Sequence, residues 1–186
     1  MARTTVVACL VIGTLVRLSG QATNDRLSVM QVTKPSDRNI VLTRTFAALR
    51  QKVFDALTKP DQVPRWFQPK QMSLVTCEAD LRAGGTFRYV FQRPGGTKIE
   101  MRGVYKEVDP PHRWVNTETY DFSPLTLLVT TVLDEAPGKD EAPGKTVLTQ
   151  TILYSSKEER DGDFDAVASS SAAIYGKLEH YLESSQ

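Results

Sequence analysis

The chain has 186 residues, of which 40% are apolar and 24% charged, a composition that suits one folded domain with a tail and excludes a disordered protein. The net charge is +1, and outside residues 1–30 the 20 basic and 21 acidic side chains nearly cancel. Because Lys and Arg form no cluster, we expect neither a nucleic-acid-binding surface nor a basic membrane-binding patch on the folded domain.

The few cysteines and histidines limit the chemistry further. Cys9 lies in the N-terminal segment, so Cys77 is the single thiol of the folded body and no internal disulfide can form there. A lone thiol favours a reducing compartment, and we therefore predict a cytoplasmic protein. His112 and His180 are not at ligand spacing, so we predict neither a metal site nor a cofactor.

Residues 1–30 have two interpretations. An apolar run over residues 4–16 follows a basic start and precedes Gly20-Gln21-Ala22, which is the outline of a signal peptide. Alternatively, translation begins at Met30 and the preceding residues are upstream sequence. The protein is exported if residues 1–22 are a real signal peptide.

The first predicted elements are one strand and two short helices. Residues 39–46 are rich in β-branched side chains and predict the first strand. Leu49, Val53 and Leu57 recur at four-residue spacing, which predicts the apolar face of a helix that ends before Pro60.

A second short helix is predicted at Val63, Trp66 and Phe67, kept short by Pro64. A meander of strands follows, with alternating apolar and polar side chains that indicate one buried face. The predicted strands cover residues 72–77, 86–91, 99–108, 113–120, 125–133 and 147–154.

Between the last two predicted strands the chain repeats itself. Residues 134–139 and 140–145 have the same sequence, which contains proline, glycine and charged side chains. Such a segment is typical of a solvated hairpin loop, where added length costs little free energy.

The last predicted element is the only long helix. Apolar and small residues return at three- and four-residue spacing between residues 158 and 183, which predicts one stripe along that helix. The stripe contains Phe164, Val167, Ala168, Ser171, Tyr175, Leu178 and Leu182.

Several short pieces, in their order and spacing, carry a family resemblance. They are Val53-Phe54-Asp55-Ala56, Trp66, Pro69, residues 80–85, Gly103-Val104-Tyr105, Pro110-Pro111 and residues 155–160. Over residues 38–184 the chain resembles the START-type helix-grip (SRPBCC) proteins, in particular the domain shared with the activator of the ninety-kilodalton heat-shock chaperone's ATPase. The resemblance implies an α+β helix-grip fold, in which a curved antiparallel sheet wraps around a long C-terminal helix, with two short helices after strand one.

The chain departs from this family in three places, and the last of them should affect the cavity. Ala48-Leu49 stands where Ala-Pro is usual, and Pro64 where a helix former is usual. Where a Gly-Trp pair is common in the last helix, this chain has Ser170-Ser171. Losing a large aromatic side chain there should widen the space between sheet and helix.

The candidate binding site combines aromatic side chains with polar groups on one strand. Four alternating residues share one face, which points either into the cavity or towards solvent: Trp114, Asn116, Glu118 and Tyr120. If that face is buried, desolvation raises the pKa of Glu118 and makes it a proton donor. The candidate residues are Trp66, Phe67, Phe87, Tyr89, Phe91, Met101, Tyr105, Trp114, Asn116, Glu118, Ser171 and Tyr175.

The favoured function is a module that binds a small apolar or amphipathic molecule. The resemblance implies an alternative, a partner of a heat-shock chaperone in the stress response. A third hypothesis is a pocket enzyme that uses Glu118 or a tyrosine as acid or base. The serines at residues 169–171 have no histidine within reach in the sequence, so no nucleophilic site is predicted. We expect a monomer or a homodimer.

Overall fold

The structure is a computed structural model that describes residues 29–136 and 144–185. The interpretations of the N-terminal segment concern residues 1–28, which lie outside the described residues. The middle of the repeat, residues 137–143, also lies outside them. The strands are β1 Gln31–Thr33, β2 Asn39–Phe46, β3 Ser73–Ala79, β4 Thr86–Gln92, β5 Lys98–Asp109, β6 Arg113–Tyr120, β7 Thr126–Glu135 and β8 Thr146–Leu153. The helices are α1 Arg50–Thr58, α2 Val63–Trp66 and α3 Lys157–Ser184, with a 3₁₀ turn at Pro69–Gln71.

All described strands form one antiparallel sheet in the order β1-β2-β8-β7-β6-β5-β4-β3. The pairing register shifts in β3 between Leu74 and Thr76, and in β5 between Tyr105 and Glu107. Such bulges bend a strand and increase its twist, which helps the sheet to curve. The predicted α+β helix-grip architecture, with its long C-terminal helix, is confirmed.

Two details of the predicted topology were wrong. The short strand β1 pairs with β2 and adds one strand ahead of those predicted. Its three residues contain only Val32 as an apolar side chain, too little to show a period. Leu49, assigned to the apolar face of the first helix, is 65% exposed. Its backbone is extended and α1 begins at the next residue, so Leu49 is outside the helical register.

Helix α3 begins with a reciprocal cap. The Ser156 hydroxyl accepts from the Glu159 backbone N–H at 3.2 Å, and the Glu159 carboxylate accepts from the Ser155 N–H at 3.1 Å. Each side chain thus satisfies a backbone donor that would otherwise lack a partner. With 28 residues the helix is about 42 Å long, enough to cross the whole sheet.

Burial along α3 is uneven. Tyr175, Leu178 and Leu182 are buried in the C-terminal half, whereas Phe164 and Val167 in the N-terminal half are only half-buried. The helix therefore packs tightly at its C-terminal end. Space remains between its middle and the sheet.

Candidate ligand-binding cavity

A cavity of about 210 Å³ lies between the sheet and α3. Its lining comes from α1 and α2, from strands β2, β4, β5, β6 and β8, and from the middle of α3. Eleven of the twelve predicted site residues line it: Trp66, Phe67, Phe87, Tyr89, Met101, Tyr105, Trp114, Asn116, Glu118, Ser171 and Tyr175. The sequence pattern thus placed its candidate residues around one cavity, although about half of the wall comes from other residues.

Phe91 is the predicted site residue that does not line the cavity. It shares a face of β4 with Phe87 and Tyr89, but the ring of Phe67 packs edge-on against it with centroids 5.2 Å apart. Phe91 is consequently a core residue behind Phe67. The period of two in the sequence identifies which residues share a face of a strand. Only the tertiary structure shows that another side chain, here Phe67, covers one of them.

Trp66 forms one end of the aromatic wall. Its indole N–H donates to the Ala56 carbonyl at 2.8 Å, which ties the turn of α2 to α1. Its ring stacks near Tyr175 of α3, with centroids 6.3 Å apart and planes inclined by 25°. Because the hydrogen bond fixes the indole, the wall at this end is preorganised.

Strands β4 and β5 supply a second group of rings. The Phe87 ring lies 5.4 Å from both Tyr89 and Tyr105, centroid to centroid. Gly103 is directly opposite Phe87, and a Cβ there would meet the Thr117 carbonyl at 1.7 Å and the Phe87 ring at 2.6 Å. Only glycine fits at this position, so the Gly103-Val104-Tyr105 motif shapes the wall of the cavity.

The polar side chains of β6 face the cavity, which resolves the orientation that the sequence left open. The Asn116 amide donates to one oxygen of the Glu118 carboxylate at 3.3 Å, and the Tyr120 hydroxyl donates to the other at 3.2 Å. All three line the cavity. They form a hydrogen-bonded polar cluster in an otherwise mostly apolar wall.

The carboxyl group of Glu118 holds its proton more tightly than an exposed glutamate does. Burial raises its pKa, and the hydrogen bonds from Asn116 and Tyr120 lower it without cancelling the effect of burial. Burial likewise raises the pKa of Tyr105 to about 12 and raises that of Tyr120. These phenols are therefore neutral at physiological pH and act as hydrogen-bond donors.

A second polar pair joins α3 to the sheet at the cavity. The Tyr175 hydroxyl donates to the Gln150 side-chain oxygen at 3.2 Å, and the Gln150 amide donates to the Thr131 hydroxyl at 3.3 Å. Tyr175 and Gln150 both line the cavity. This pair can orient a ligand from the α3 side of the cavity.

Further lining residues were not predicted. The alternation places Tyr120 on the same face as Trp114, Asn116 and Glu118, but it was not counted among the site residues. Gln150 alternates with the buried Leu148 and Ile152 on β8, so the same pattern could have included it. The remaining lining residues that sequence reasoning missed are Leu42, Leu57, Thr58, Val63, Ile152, Val167, Ser170 and Ile174.

Other chemistry can be assessed for the described part of the chain. Burial raises the pKa of Cys77 to about 11, so this thiol is protonated and weakly nucleophilic at neutral pH. Residues 29–136 and 144–185 contain no group of three His, Cys, Asp or Glu side chains placed to hold a metal ion. In the same residues, no helix has the length and hydropathy needed to cross a bilayer.

Most of the chain matches the model of a known protein family. Residues 47–183 match the family described as Activator of Hsp90 ATPase homolog 1-like protein. The chain belongs to this family. The match begins before α1 and ends within the last turn of α3, so it includes every helix that borders the cavity. A search of curated proteins found no match.

Solved structures of other proteins have the same fold as this member of the Hsp90 ATPase activator homolog 1-like family. A crystal structure from Rhodobacter sphaeroides is 27% identical, has a TM-score of 0.77, and matches 84% of this chain and 99% of its own. A solution structure from Staphylococcus epidermidis is 26% identical, with a TM-score of 0.70 and coverage of 84% and 96%. A crystal structure from Nitrosomonas europaea, 23% identical with a TM-score of 0.70 and coverage of 83% and 100%, shows the same fold.

Proposed function

We propose that this family member binds one small apolar or amphipathic molecule in the cavity between sheet and helix, and does not convert it. The observation that carries the proposal is the cavity itself, with eight aromatic side chains and one polar cluster in its wall. Ligand sites are typically apolar concavities with a few placed polar groups.

The exposure of the aromatic wall supports the same conclusion. The cavity is open to solvent, so in the ligand-free protein water covers part of its aromatic wall. Removing apolar surface from water is favourable by about 25 cal/mol per Å², and a bound apolar molecule would gain this free energy.

The volume indicates the size of the molecule. An apolar cavity of about 150 Å³ accommodates benzene in another protein. The present cavity is somewhat larger, so it can enclose a group with one or two rings.

A thermal-shift screen tests the proposal. Ligand at a hundred times its dissociation constant adds about 2.7 kcal/mol to the free energy of unfolding. For a domain of this length the melting temperature should rise by about 5–10 °C. The screen should contain one- and two-ring aromatic compounds, monoterpenes, flavonoids and long-chain fatty acids. A flat response to every class would contradict the proposal.

The family description favours a second candidate, a partner of a heat-shock chaperone. Its test is the ATPase rate of a ninety-kilodalton chaperone with and without the protein, together with co-purification. A stimulated rate and a stoichiometric complex, combined with a flat thermal-shift screen, would replace the binding proposal.

The polar cluster favours a third candidate, an enzyme that uses Glu118 as a general acid. Its carboxyl lines the cavity and has a raised pKa, as an acid catalyst requires. Mass spectrometry of each screened compound after incubation tests this: recovery of unchanged compound supports simple binding, and a product that Glu118→Gln no longer forms supports catalysis.

A further inference from the structure

The cavity has an unbalanced charge composition. Glu118 is the only carboxylate in its wall, and among the described residues none that lines it is Lys, Arg or His. The two buried arginines of the described residues, Arg44 and Arg160, lie outside the wall and pair with Glu179 and Asp161. Nothing described in the wall offsets a negative charge on Glu118.

The groups that face Glu118 from other elements add no positive charge. Tyr89 and Tyr105 on the sheet and Tyr175 on α3 are close enough for the charge of Glu118 to contribute to their raised pKa values, after the larger effect of burial. The same holds for Tyr154, whose hydroxyl donates to the Asp163 carboxylate at 2.7 Å. Every described titratable group around Glu118 is therefore neutral or acidic.

The aromatic wall adds to this electrostatic preference. The faces of Trp, Tyr and Phe rings carry partial negative charge and attract cations, most strongly when water is excluded. Eight such rings line the cavity, including both tryptophans of the chain, Trp66 and Trp114. Aromatic side chains around a carboxylate are the typical surroundings of an organic ammonium group.

We propose that the ligand is an organic amine whose ammonium group pairs with Glu118 while its one or two rings fill the aromatic part of the cavity. This inference rests on the proposed binding function and narrows its ligand class. The polar cluster is already built for the charged form of Glu118, because Asn116 and Tyr120 both donate to its oxygens.

The inference also excludes a class of ligands. A carboxylate ligand would meet Glu118 without a described cation in the wall to neutralise either group, so aromatic acids should bind weakly. A neutral alcohol of the same shape keeps the apolar contacts and loses only the ion pair. Amine, alcohol and acid therefore form a graded series.

Isothermal titration with three compounds of matched shape tests the proposal: naphthylmethylamine, naphthylmethanol and naphthoate. We expect the dissociation constant of the amine to be lower than that of the alcohol by about tenfold or more. The acid should have the highest dissociation constant of the three. Only the ionised carboxylate pairs with an ammonium group, and burial raises the pKa of Glu118, so the preference for the amine over the alcohol should increase as the pH rises.

Two variants assign the effect to Glu118. Glu118→Gln should weaken amine binding by about tenfold and leave alcohol binding within about twofold, and Glu118→Asp should keep the preference for the amine. Equal affinities for amine and alcohol, or unchanged amine binding in Glu118→Gln, would overturn the inference and leave the binding function standing. If none of the three compounds binds, both the amine inference and the proposed binding function fail for ligands of this size.

Discussion

Replacing Ser171 by tryptophan should fill part of the cavity and raise the melting temperature of the ligand-free protein. Ser171 is buried on the face of α3 that lines the cavity, one turn before Tyr175. Its hydroxyl donates only to the Ala168 carbonyl of the same helix, at 3.3 Å, so its loss breaks no contact with the sheet. An indole at this position projects into the space between helix and sheet.

The cavity volume sets the size of the effect. Fully burying a large apolar side chain is worth about 1.5–3 kcal/mol, so an indole that occupies about half of the 210 Å³ should add about 2.5 kcal/mol of stability. For a domain of this size that corresponds to a rise of about 5–10 °C. A site without this space would instead be overpacked, and the same substitution would cost about 1–3 kcal/mol.

Differential scanning calorimetry with two control variants separates these outcomes. Ala172→Trp adds the same indole on the exposed side of α3 and should leave the melting temperature unchanged. Ser171→Ala removes the hydroxyl without filling the cavity and should change it little. A melting temperature of Ser171→Trp below that of the wild type would refute the argument. Ligand-induced thermal shifts in Ser171→Trp that are as large as those in the wild type would also refute it.

Three further predictions concern charge and the repeat. Glu118→Gln should raise the free energy of unfolding at neutral pH and have no effect on it below about pH 4. The reason is that burial raises the folded-state pKa of this carboxyl. Calorimetry should therefore show the wild type losing stability as the pH rises through this folded-state pKa. Glu179→Gln should cost about 3 kcal/mol in urea unfolding, because it leaves the Arg44 guanidinium, 6% exposed and 2.6 Å from Glu179, buried without its partner. The exposed-pair control Arg82→Gln should cost less than about 1 kcal/mol. Deleting residues 140–145 should change stability by less than about 0.5 kcal/mol, since the remaining copy supplies the same lysine before β8, and a loss of several degrees in melting temperature would contradict this.

The sequence predicted most of the fold because its elements have strong local signals. The alternation in β4, β5 and β6 and the stripe from Phe164 to Leu182 each identify an element by period alone. β1 was missed because three residues cannot show a period. Leu49 was misplaced because the start of α1 depends on a backbone angle that the spacing of apolar residues does not report.

At the site, too, the sequence period predicts which side chains share a face but not what those side chains contact. Alternation correctly grouped Trp114, Asn116 and Glu118 on one face, but the direction of that face depends on the curvature of the whole sheet. Phe91 was included because it shares a face with Tyr89, but the ring of Phe67 packs against it and Phe91 does not line the cavity. Gln150 shares a face of β8 with Leu148 and Ile152, but its role depends on a hydrogen bond from Tyr175, a residue 25 positions away in the sequence.

Intrinsic fluorescence gives the most direct test of the central claim that the cavity binds a small apolar molecule. Trp66 and Trp114 are the chain's only tryptophans and both line the cavity, so all indole emission reports on this space. Bromobenzene is a one-ring apolar compound whose heavy atom quenches indole on contact. We predict saturable quenching of the protein, with free N-acetyltryptophanamide as the unsaturable reference. Quenching that stays linear and no stronger than that of the free indole would contradict the claim.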